Sequence, residues 1–244
     1  MTLPASKSTL FNLNFWSNIR KDTVHLLYPS SCLICECEWK EKLPLCSWCS
    51  EELKYTNFEN YQEATPLDKL FWGRLELNAT YAMLHFEKNT STQGLLHAIK
   101  YSNRPGLARY LGELVGQRLE QIEKFSNIDS IIPVPLHSKK QFVRGYNQSE
   151  QISFGIANIL KVPIDSTYVR KATHVSSQTR MGRFQRWANV DGNFLVKKGL
   201  RETVHFAIVD DVVTTGSTLE AMVRAIKKVY PKATISIVSL AFAR

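Results

Sequence analysis

The segment 206–219 contains the residues whose types and spacing indicate chemistry most directly. Four apolar residues precede Asp210 and Asp211, and hydroxyl side chains around Gly216 then lead into a helical pattern. Backbone N–H groups and hydroxyls at a helix start bind phosphate oxygens, and the helix dipole adds to the attraction. Two adjacent carboxylates can accept hydrogen bonds from the vicinal hydroxyls of a ribose. The segment therefore predicts a site for a ribose 5-phosphate where a buried strand ends in two carboxylates.

Each of these features has an ordinary structural explanation when it is taken singly. Ser217 or Thr218 could be a helix N-cap, and the acidic pair could be a solvated strand end. The joint occurrence is much rarer, and it favours the phosphate site. The segment lacks the lysine of a Walker A loop, which disfavours a nucleoside triphosphatase.

The cysteines form a second set of residues with a clear chemical use. All five lie in the first fifth of the chain, and four of them form two Cys-x-x-Cys pairs, Cys32 with Cys35 and Cys46 with Cys49. Four thiolates can close the tetrahedral shell of one Zn²⁺, so the spacing predicts a structural site that supplies folding energy to a short segment. Thiol exchange is the main alternative, and the duplication favours metal. Cys37 is predicted to be a free thiol or a competitor of Cys35 for the metal.

Basic residues are in excess, with a formal net charge of +9, which favours polyanions, phosphorylated ligands or nucleic acid as partners. Lys139, Lys140 and Arg144 lie within six positions and could steer an anion toward the strand ends. Between 170 and 187, arginines alternate with aromatic residues, which suits single-stranded nucleic acid and equally suits a mobile hood over the ligand. A plain surface loop is the third possibility. The residues assigned to this loop are Arg180, Arg183, Arg186 and Trp187.

Segments with strand and helix patterns alternate from residue 75 onward. Strands are predicted at 79–86, 130–134, 206–209 and 234–241, and helices at 106–122, 147–160 and 217–229. Strands separated by helices imply parallel pairing, so the predicted fold class is α/β, a parallel sheet flanked by helices with a small N-terminal zinc-binding domain. The predicted division is a helical segment at 1–30, a zinc knuckle at 31–57, a linker at 58–75 and the sheet domain at 76–244.

The acidic pair and its loop resemble the 5-phosphoribosyl-1-pyrophosphate (PRPP) motif of type I phosphoribosyltransferases. Cysteine knuckles ahead of this domain, Lys100-Tyr101, the Pro-Val-Pro-Leu run at 133–136 and the run 144–148 extend the likeness to the ComF (GntX) family, from residue 26 onward. This resemblance implies PRPP binding through Mg²⁺, a catalytic role for the acidic pair, and contact of Lys100 and Tyr101 with the pyrophosphate. The implied PRPP-binding loop consists of Asp210, Asp211, Val212, Val213, Thr214, Thr215, Gly216, Ser217 and Thr218.

The sequence departs from the family pattern at two places. Tyr146 stands where the Arg-Gly-Phe-Asn-Gln motif usually has Phe, which is a mild change. Gln178 is followed by Thr-Arg-Met rather than by a small apolar run. The second difference concerns the identity of an acceptor substrate more than the fold.

The resemblance implies a PRPP-binding protein that handles incoming single-stranded DNA during natural transformation, with other competence proteins such as a DNA translocase as partners. The alternative is a phosphoribosyltransferase of nucleotide salvage, in which a nucleobase or amine displaces pyrophosphate from the ribose anomeric carbon. No apolar stretch approaches the ~20 residues of a membrane span, and no signal-peptide pattern is present. We therefore expect a cytoplasmic protein without a membrane span.

Overall fold

The structure is a computed structural model, and it describes residues 31–32, 34–39, 44–172, 187–190, 194–199 and 204–243, with the backbone alone at 138, 139 and 187–190. The chain divides into two compact units, Met1–Glu52 and Leu53–Arg244. The helical segment predicted at 1–30 lies outside the described residues. The finer division into four segments stays a prediction.

The described helices and strands alternate along most of the second unit. The helices are α1 (Ser47–Glu51), α2 (Pro66–Phe71), α3 (Ser91–Tyr101), α4 (Pro105–Leu119), α5 (Ser138–Arg144), α6 (Gln148–Leu160) and α7 (Ser217–Val229). The strands are β1 (Ala79–Phe86), β2 (Ser130–Pro133), β3 (Val169–Lys171), β4 (Trp187–Val190), β5 (Phe194–Lys197), β6 (His205–Val213) and β7 (Thr234–Ala243). Short 3₁₀ helices occupy Phe58–Asn60 and Glu123–Phe125.

Four parallel strands form the main sheet of the second unit, in the order β1-β7-β6-β2. The two central strands, β6 and β7, are buried along nearly their whole length, as expected of strands that are covered on both faces. This arrangement confirms the predicted α/β fold with a parallel sheet flanked by helices. Because the strands run in one direction, the residues that follow β2 and β6 meet at the same edge of the sheet, where such folds bind ligands.

Strand β6 is longer than the apolar pattern predicts. It continues through the acidic pair because Asp210 still pairs with Ser239 of β7, and Val213 pairs with Phe242. Asp211 is buried, with 9% of its surface exposed. The acidic pair therefore lies within the paired part of β6. The expectation that the strand ends at these carboxylates is wrong.

The segment predicted as a linker contains helix α2, which is anchored at its start by a capping box. The Thr65 hydroxyl accepts from the backbone N–H of Asp68 at 3.1 Å, and Asp68 Oδ2 accepts from Thr65 N at 2.8 Å. Leu67 and Phe71 are buried. A six-residue helix with two apolar contacts is too short to give a periodic sequence signal, which explains the difference.

A second sheet of three antiparallel strands, in the order β3-β5-β4, was not predicted. Its strands have only three or four residues each and mix charged or polar with apolar residues, so they give little alternation. Trp187 begins β4 and pairs with Lys197 through the backbone, so the prediction that it lies on a loop is wrong. The other residues assigned to that loop, Arg180, Arg183 and Arg186, lie outside the described residues.

Helices α4 and α6 pack closely because glycines bring their backbones together. A Cβ at Gly112 would lie 2.1 Å from the carbonyl oxygen of Ile152, and one at Gly155 would lie 2.0 Å from that of Arg109. The Arg109 Nε also donates to Gln151 Oε1 at 2.7 Å. This contact fixes the position of α6, whose first turn reaches the acidic pair.

Candidate functional site

The turn after β6 and the first two residues of α7, residues 214–218, form a small concave loop that we call the phosphate loop. Gly216 has a φ of +72°, in the left-handed region that glycine adopts without strain. The Thr215 and Ser217 hydroxyl oxygens lie 3.1 Å apart, and Ser217 N donates to Thr215 Oγ1 at 3.4 Å. The cavity of about 40 Å³ in this turn is lined by residues 210 and 212–219. It offers hydroxyls and the N–H groups that start a 13-residue helix, the groups that bind phosphate oxygens.

Helix α2 and the residues after it support the phosphate loop. A Cβ at Gly216 would lie 2.6 Å from the Phe71 ring, so the ring leaves room only for glycine. The Arg74 Nη1 donates to the carbonyl oxygen of Thr215 at 3.1 Å, and its Nε donates to Glu220 Oε2 at 3.0 Å. The support comes from a segment about 140 residues away in the chain, which is why sequence reasoning missed Phe71 and Arg74.

The acidic pair contacts two other elements of the fold. Lys100 Nζ, at the end of α3, lies 3.0 Å from Asp211 Oδ2, and both side chains are largely buried. Asp210 Oδ1 accepts a hydrogen bond from Ser149 Oγ at 3.0 Å and another from Asp211 N at 2.9 Å. The structure thus brings Lys100 and the acidic pair together. Asp210 also lines the cavity of the phosphate loop.

The ionisation of Asp210 is shifted toward neutral pH. Burial, followed by the negative charge of Asp211, raises the pKa of Asp210 to about 7, although hydrogen bonds from Asp211 N and Ser149 and the charge of Lys100 act in the opposite direction. A carboxyl group with this pKa gains or loses its proton in response to a nearby cation or hydroxyl at neutral pH.

The turn 145–147 connects the start of α6 to neighbouring elements. The hydroxyl of buried Tyr146 donates to the carbonyl oxygen of Ile99 in α3. Asn147 Nδ2 donates to the carbonyl oxygen of Val134 at 3.0 Å, and its Oδ1 caps α6 by accepting from Ser149 N at 3.1 Å. Ser149 itself was not predicted as a site residue. The motif that ends one residue before it was the signal that could have found it.

A larger cavity, of about 280 Å³, lies beyond the carboxyl end of β2. Its wall includes Asn147 and Glu150, so the first turn of α6 borders both this cavity and Asp210. Its other lining residues are Pro133, Pro135, Leu136, His137, Gln141, Ser166, Val169, Arg170 and Lys171.

The four cysteines of the first unit converge as their spacing predicts. The sulfur atoms of Cys32, Cys35, Cys46 and Cys49 all lie within 4.8 Å of one another. Ligands at ~2.3 Å in a tetrahedron would have sulfurs ~3.8 Å apart, and the Sγ atoms of Cys35 and Cys46 are separated by 3.8 Å. The donor set and its geometry therefore fit a zinc ion.

The local backbone favours the thiolate at Cys32, whereas burial and then contact with Cys35 raise the pKa of Cys49. Burial opposes ionisation of Cys32, but N–H groups of Cys35, Cys46 and Ile34 outweigh it and lower the pKa of this thiol to about 6. Cys37 lies outside the four, with its Sγ 3.2 Å from that of Cys35. Contact with Cys35 raises the pKa of Cys37 to about 12.

Four further predicted site residues lie at the end of α3 and on α5. Tyr101 ends α3 directly after Lys100, and the residue is 61% exposed. Lys140 and Arg144 lie on α5, as does the backbone of Lys139. None of the helices in the described part of the chain has the length and apolarity of a membrane-spanning segment.

Comparison with known proteins identifies a domain and a set of relatives. Residues 149–244 match the family described as phosphoribosyl transferase domain. This stretch contains α6, β6, the phosphate loop, α7 and β7. With the parallel sheet, it confirms the predicted phosphoribosyltransferase-like fold.

The relatives extend the similarity toward the N-terminus. The chain is 26% identical to competence protein F of Haemophilus influenzae over 215 residues, which cover 85% of this chain and 89% of that protein. It is 30% identical over 128 residues to DNA utilization protein YhgH of Salmonella typhi, covering 51% of this chain and 56% of that protein. The second match therefore spans little more than half of the relative. These relatives confirm the resemblance to the ComF family.

Solved phosphoribosyltransferases are more distant. Adenine phosphoribosyltransferase from Saccharomyces cerevisiae is 20% identical, with a TM-score of 0.37 over 57% of this chain and 72% of that chain. The fold assignment rests on the sheet and on the family match instead.

Proposed function

We propose that this chain, as a ComF-family protein with a phosphoribosyl transferase domain, binds PRPP and handles single-stranded DNA during natural transformation. The names of the relatives, competence protein F and DNA utilization protein, support the DNA-handling part. One observation carries the PRPP part: the acidic pair borders the phosphate loop on one side and pairs with Lys100 on the other. Other competence proteins, such as a DNA translocase, are the partners that this proposal implies.

Each group of the site has a role in the proposed complex. The phosphate loop, 214–218, holds the 5-phosphate of PRPP. Asp210 and Asp211 accept hydrogen bonds from the ribose hydroxyls, and Lys100 and Tyr101 face the pyrophosphate. Val212 and Val213 supply the backbone between the acidic pair and the phosphate loop. Mg²⁺ would be held mainly by oxygens of the diphosphate and ribose, since it retains few protein ligands in such sites.

Calorimetric titration with PRPP tests this proposal. We expect saturable binding that requires Mg²⁺, and a loss of affinity of about 100-fold or more in the Asp210→Ala/Asp211→Ala variant. Glu87→Ala is the matched control, because it removes an exposed carboxylate whose partner is Lys54, at 2.6 Å, rather than a residue of the site. An unchanged affinity in the double variant, with the fold intact by circular dichroism, would overturn the ribose assignment.

A second candidate function is favoured by the 280 Å³ cavity that shares the first turn of α6 with the acidic pair. In this alternative the chain is a phosphoribosyltransferase, and the cavity holds a nucleobase or amine. The acceptor nitrogen would form a bond to the anomeric carbon as the bond from that carbon to the pyrophosphate oxygen breaks, through an oxocarbenium-like state that the acidic pair stabilises.

Pyrophosphate release separates the two candidate functions. Release from PRPP that depends on an added base or amine supports the transferase, and Glu150→Ala, at the cavity wall, should then raise KM for the acceptor. Saturable PRPP binding without release supports the binding protein.

We further propose that Cys32, Cys35, Cys46 and Cys49 hold one structural Zn²⁺. The convergence of four sulfurs supports this assignment, because four thiolates leave no coordination position for a substrate. Metal analysis of the purified full chain should give about one equivalent.

A further inference from the structure

Helix α5 exposes an unusual set of side chains for its length. Phe142 and Val143 are 91% and 80% exposed. All charged residues of this seven-residue helix are cations, namely Lys139, Lys140 and Arg144. A large apolar ring held in water is unfavourable, and adjacent exposed apolar residues rimmed by charge mark interaction sites. The composition of α5 therefore indicates a binding surface.

A second exposed aromatic residue lies beside this helix. The guanidinium of Arg144 stacks over the ring of Tyr101, with 5.4 Å between its Cζ and the ring centroid. Arg144 is oriented by the hydrogen bond that its Nη1 donates to Gln148 Oε1 at 2.9 Å. With more than half of the Tyr101 surface exposed, the pair presents a flat, positively charged platform.

The surface adjoins the candidate phosphoribosyl site. Tyr101 follows directly on Lys100, which pairs with Asp211. Directly after Arg144, at the same end of α5, a Cβ on Gly145 would lie 3.5 Å from Asn103 Oδ1, in the turn after α3. A ligand on α5 would therefore contact the helix end that carries Lys100.

We infer that single-stranded nucleic acid binds on α5 and Tyr101, with Phe142 stacking on a base. This inference rests on the proposed function and assigns a surface to its DNA-handling part. We call the set Tyr101, Lys140, Phe142, Val143 and Arg144 the α5 surface.

Charge and shape favour this occupant over others. Single strands expose unstacked bases along a chain of phosphates, and they bind where aromatic rings and cations alternate. The α5 surface supplies both and has no carboxylate of its own. A helix of seven residues offers too little apolar area for stable attachment to a lipid surface.

Fluorescence anisotropy with a labelled oligodeoxythymidylate of about 20 nucleotides tests the inference, since this length fills a single-strand site of the usual size. In the full chain, Phe142→Ala should weaken binding by about 5- to 100-fold, the effect of removing one base–aromatic stack. Phe142→Trp should retain binding, whereas Phe142→Leu should lose it, because leucine keeps the apolar contact without the π face. Lys140→Ala should reduce the salt slope by about 0.7 for one phosphate contact.

Phe154→Ala is the matched control. Phe154 is an exposed phenylalanine like Phe142, and like Tyr101 it has an arginine over its ring, since Arg109 Cζ lies 5.2 Å from its centroid. It lies on α6, outside the α5 surface, and its loss should leave oligonucleotide affinity unchanged. PRPP affinity and circular dichroism, measured on the same variants, report whether the fold is intact.

The outcomes separate the inference from the function on which it rests. Wild-type affinity in Phe142→Ala, or equal affinity in Phe142→Leu and wild type, would overturn the assignment of the stacking residue while DNA handling stands. A wild-type chain that fails to bind the oligonucleotide at low salt would overturn the DNA-handling function itself. Binding of neutral or anionic lipid vesicles that is lost in Phe142→Ala, without oligonucleotide binding, would contradict the inference in favour of a membrane surface.

Discussion

The cysteine cluster and the phosphate loop are both shaped for a small ligand, but they are built in opposite ways. The four sulfurs come from one stretch of the chain, 32–49, and converge through two short turns. The phosphate loop depends on Phe71 and Arg74 from the α2 region, and the acidic pair depends on Lys100 of α3 and Ser149 of α6. The first site is local and is expected to fold with its metal, whereas the second takes its shape from the packed sheet domain.

The two sites should also differ in the property that a mutation changes. Loss of a metal ligand should remove the folding energy of a short segment that has little apolar core. Loss of a contact around the phosphate loop should instead change ligand affinity, because the sheet beneath it is held by many other buried side chains. Substitutions at each site test this difference.

The largest effect is expected from Cys46→Ser. Cys46 is buried, accepts from Cys49 N at 3.4 Å and caps α1, so its loss should release the zinc and unfold the segment around 31–52. Zinc content should fall below about half an equivalent, and limited proteolysis should cut this segment. PRPP affinity should stay at the wild-type value.

Cys37→Ser is the control for this variant, because Cys37 lies outside the cluster of four. It should retain the zinc. Loss of zinc in Cys37→Ser equal to that in Cys46→Ser would identify Cys37 as a ligand, and loss of PRPP binding in Cys46→Ser would contradict the independence of the two sites.

The next effect is expected from Gly216→Ala. The new Cβ would meet the Phe71 ring and would also hold a positive φ, so the phosphate loop must shift. We expect PRPP affinity to fall by about 10-fold or more and the unfolding free energy to fall by about 1–2 kcal/mol. Calorimetry and urea denaturation measure the two quantities.

Gly199→Ala separates strain from contact. Gly199 also has a positive φ, of +105°, but among the residues that the structure describes a Cβ there would have no heavy atom within 4 Å. It should lose stability without losing PRPP affinity. Equal losses of affinity in both variants would mean that backbone strain, rather than the Phe71 contact, explains the result.

A third effect concerns pH. The raised pKa of Asp210 means that the folded chain holds a proton between pH about 4 and 7 that the unfolded chain has released. The stability from this group is therefore full below its ordinary pKa and is lost as the pH rises through about 7. The side chain in Asp210→Asn cannot ionise, so this variant does not lose that stability as the pH rises. Its unfolding free energy should rise relative to wild type across this window, by on the order of 1 kcal/mol per pH unit.

Urea denaturation at several pH values between 5 and 8 measures this difference, with Asp165→Asn as the control at an exposed carboxylate that bonds locally to Thr167. Parallel pH profiles for Asp210→Asn and wild type would show that Asp210 is ionised throughout the range. PRPP affinity of the wild type, measured over the same pH range, should rise as Asp210 loses its proton. An ionised carboxylate accepts hydrogen bonds from ribose hydroxyls better than a protonated one does.

How far each part could be predicted follows from the range of the interactions. The cysteine cluster and helix α7 are set by neighbours in sequence, so their patterns were sufficient. The extension of β6 through the acidic pair was missed because pairing with β7, rather than hydrophobicity, continues the strand. Ser149 and Arg74 act through contacts with distant segments, and a serine or an arginine at these positions has no distinctive local pattern.

The smallest effect is expected from Arg74→Ala, and it tests whether the support of the phosphate loop is specific. Arg74 bonds both to the carbonyl oxygen of Thr215 and to Glu220, whereas Arg224 bonds to Glu220 and to the carbonyl oxygen of Arg74 without reaching the loop. Because both arginines are partly exposed, each alanine variant should lose less than about 1 kcal/mol of unfolding free energy. Only Arg74→Ala should weaken PRPP binding, by about 3- to 10-fold, since only it frees the Thr215 carbonyl. Equal PRPP affinities in the two variants, measured by calorimetry, would show that the loop holds its shape through Phe71 and Gly216 alone.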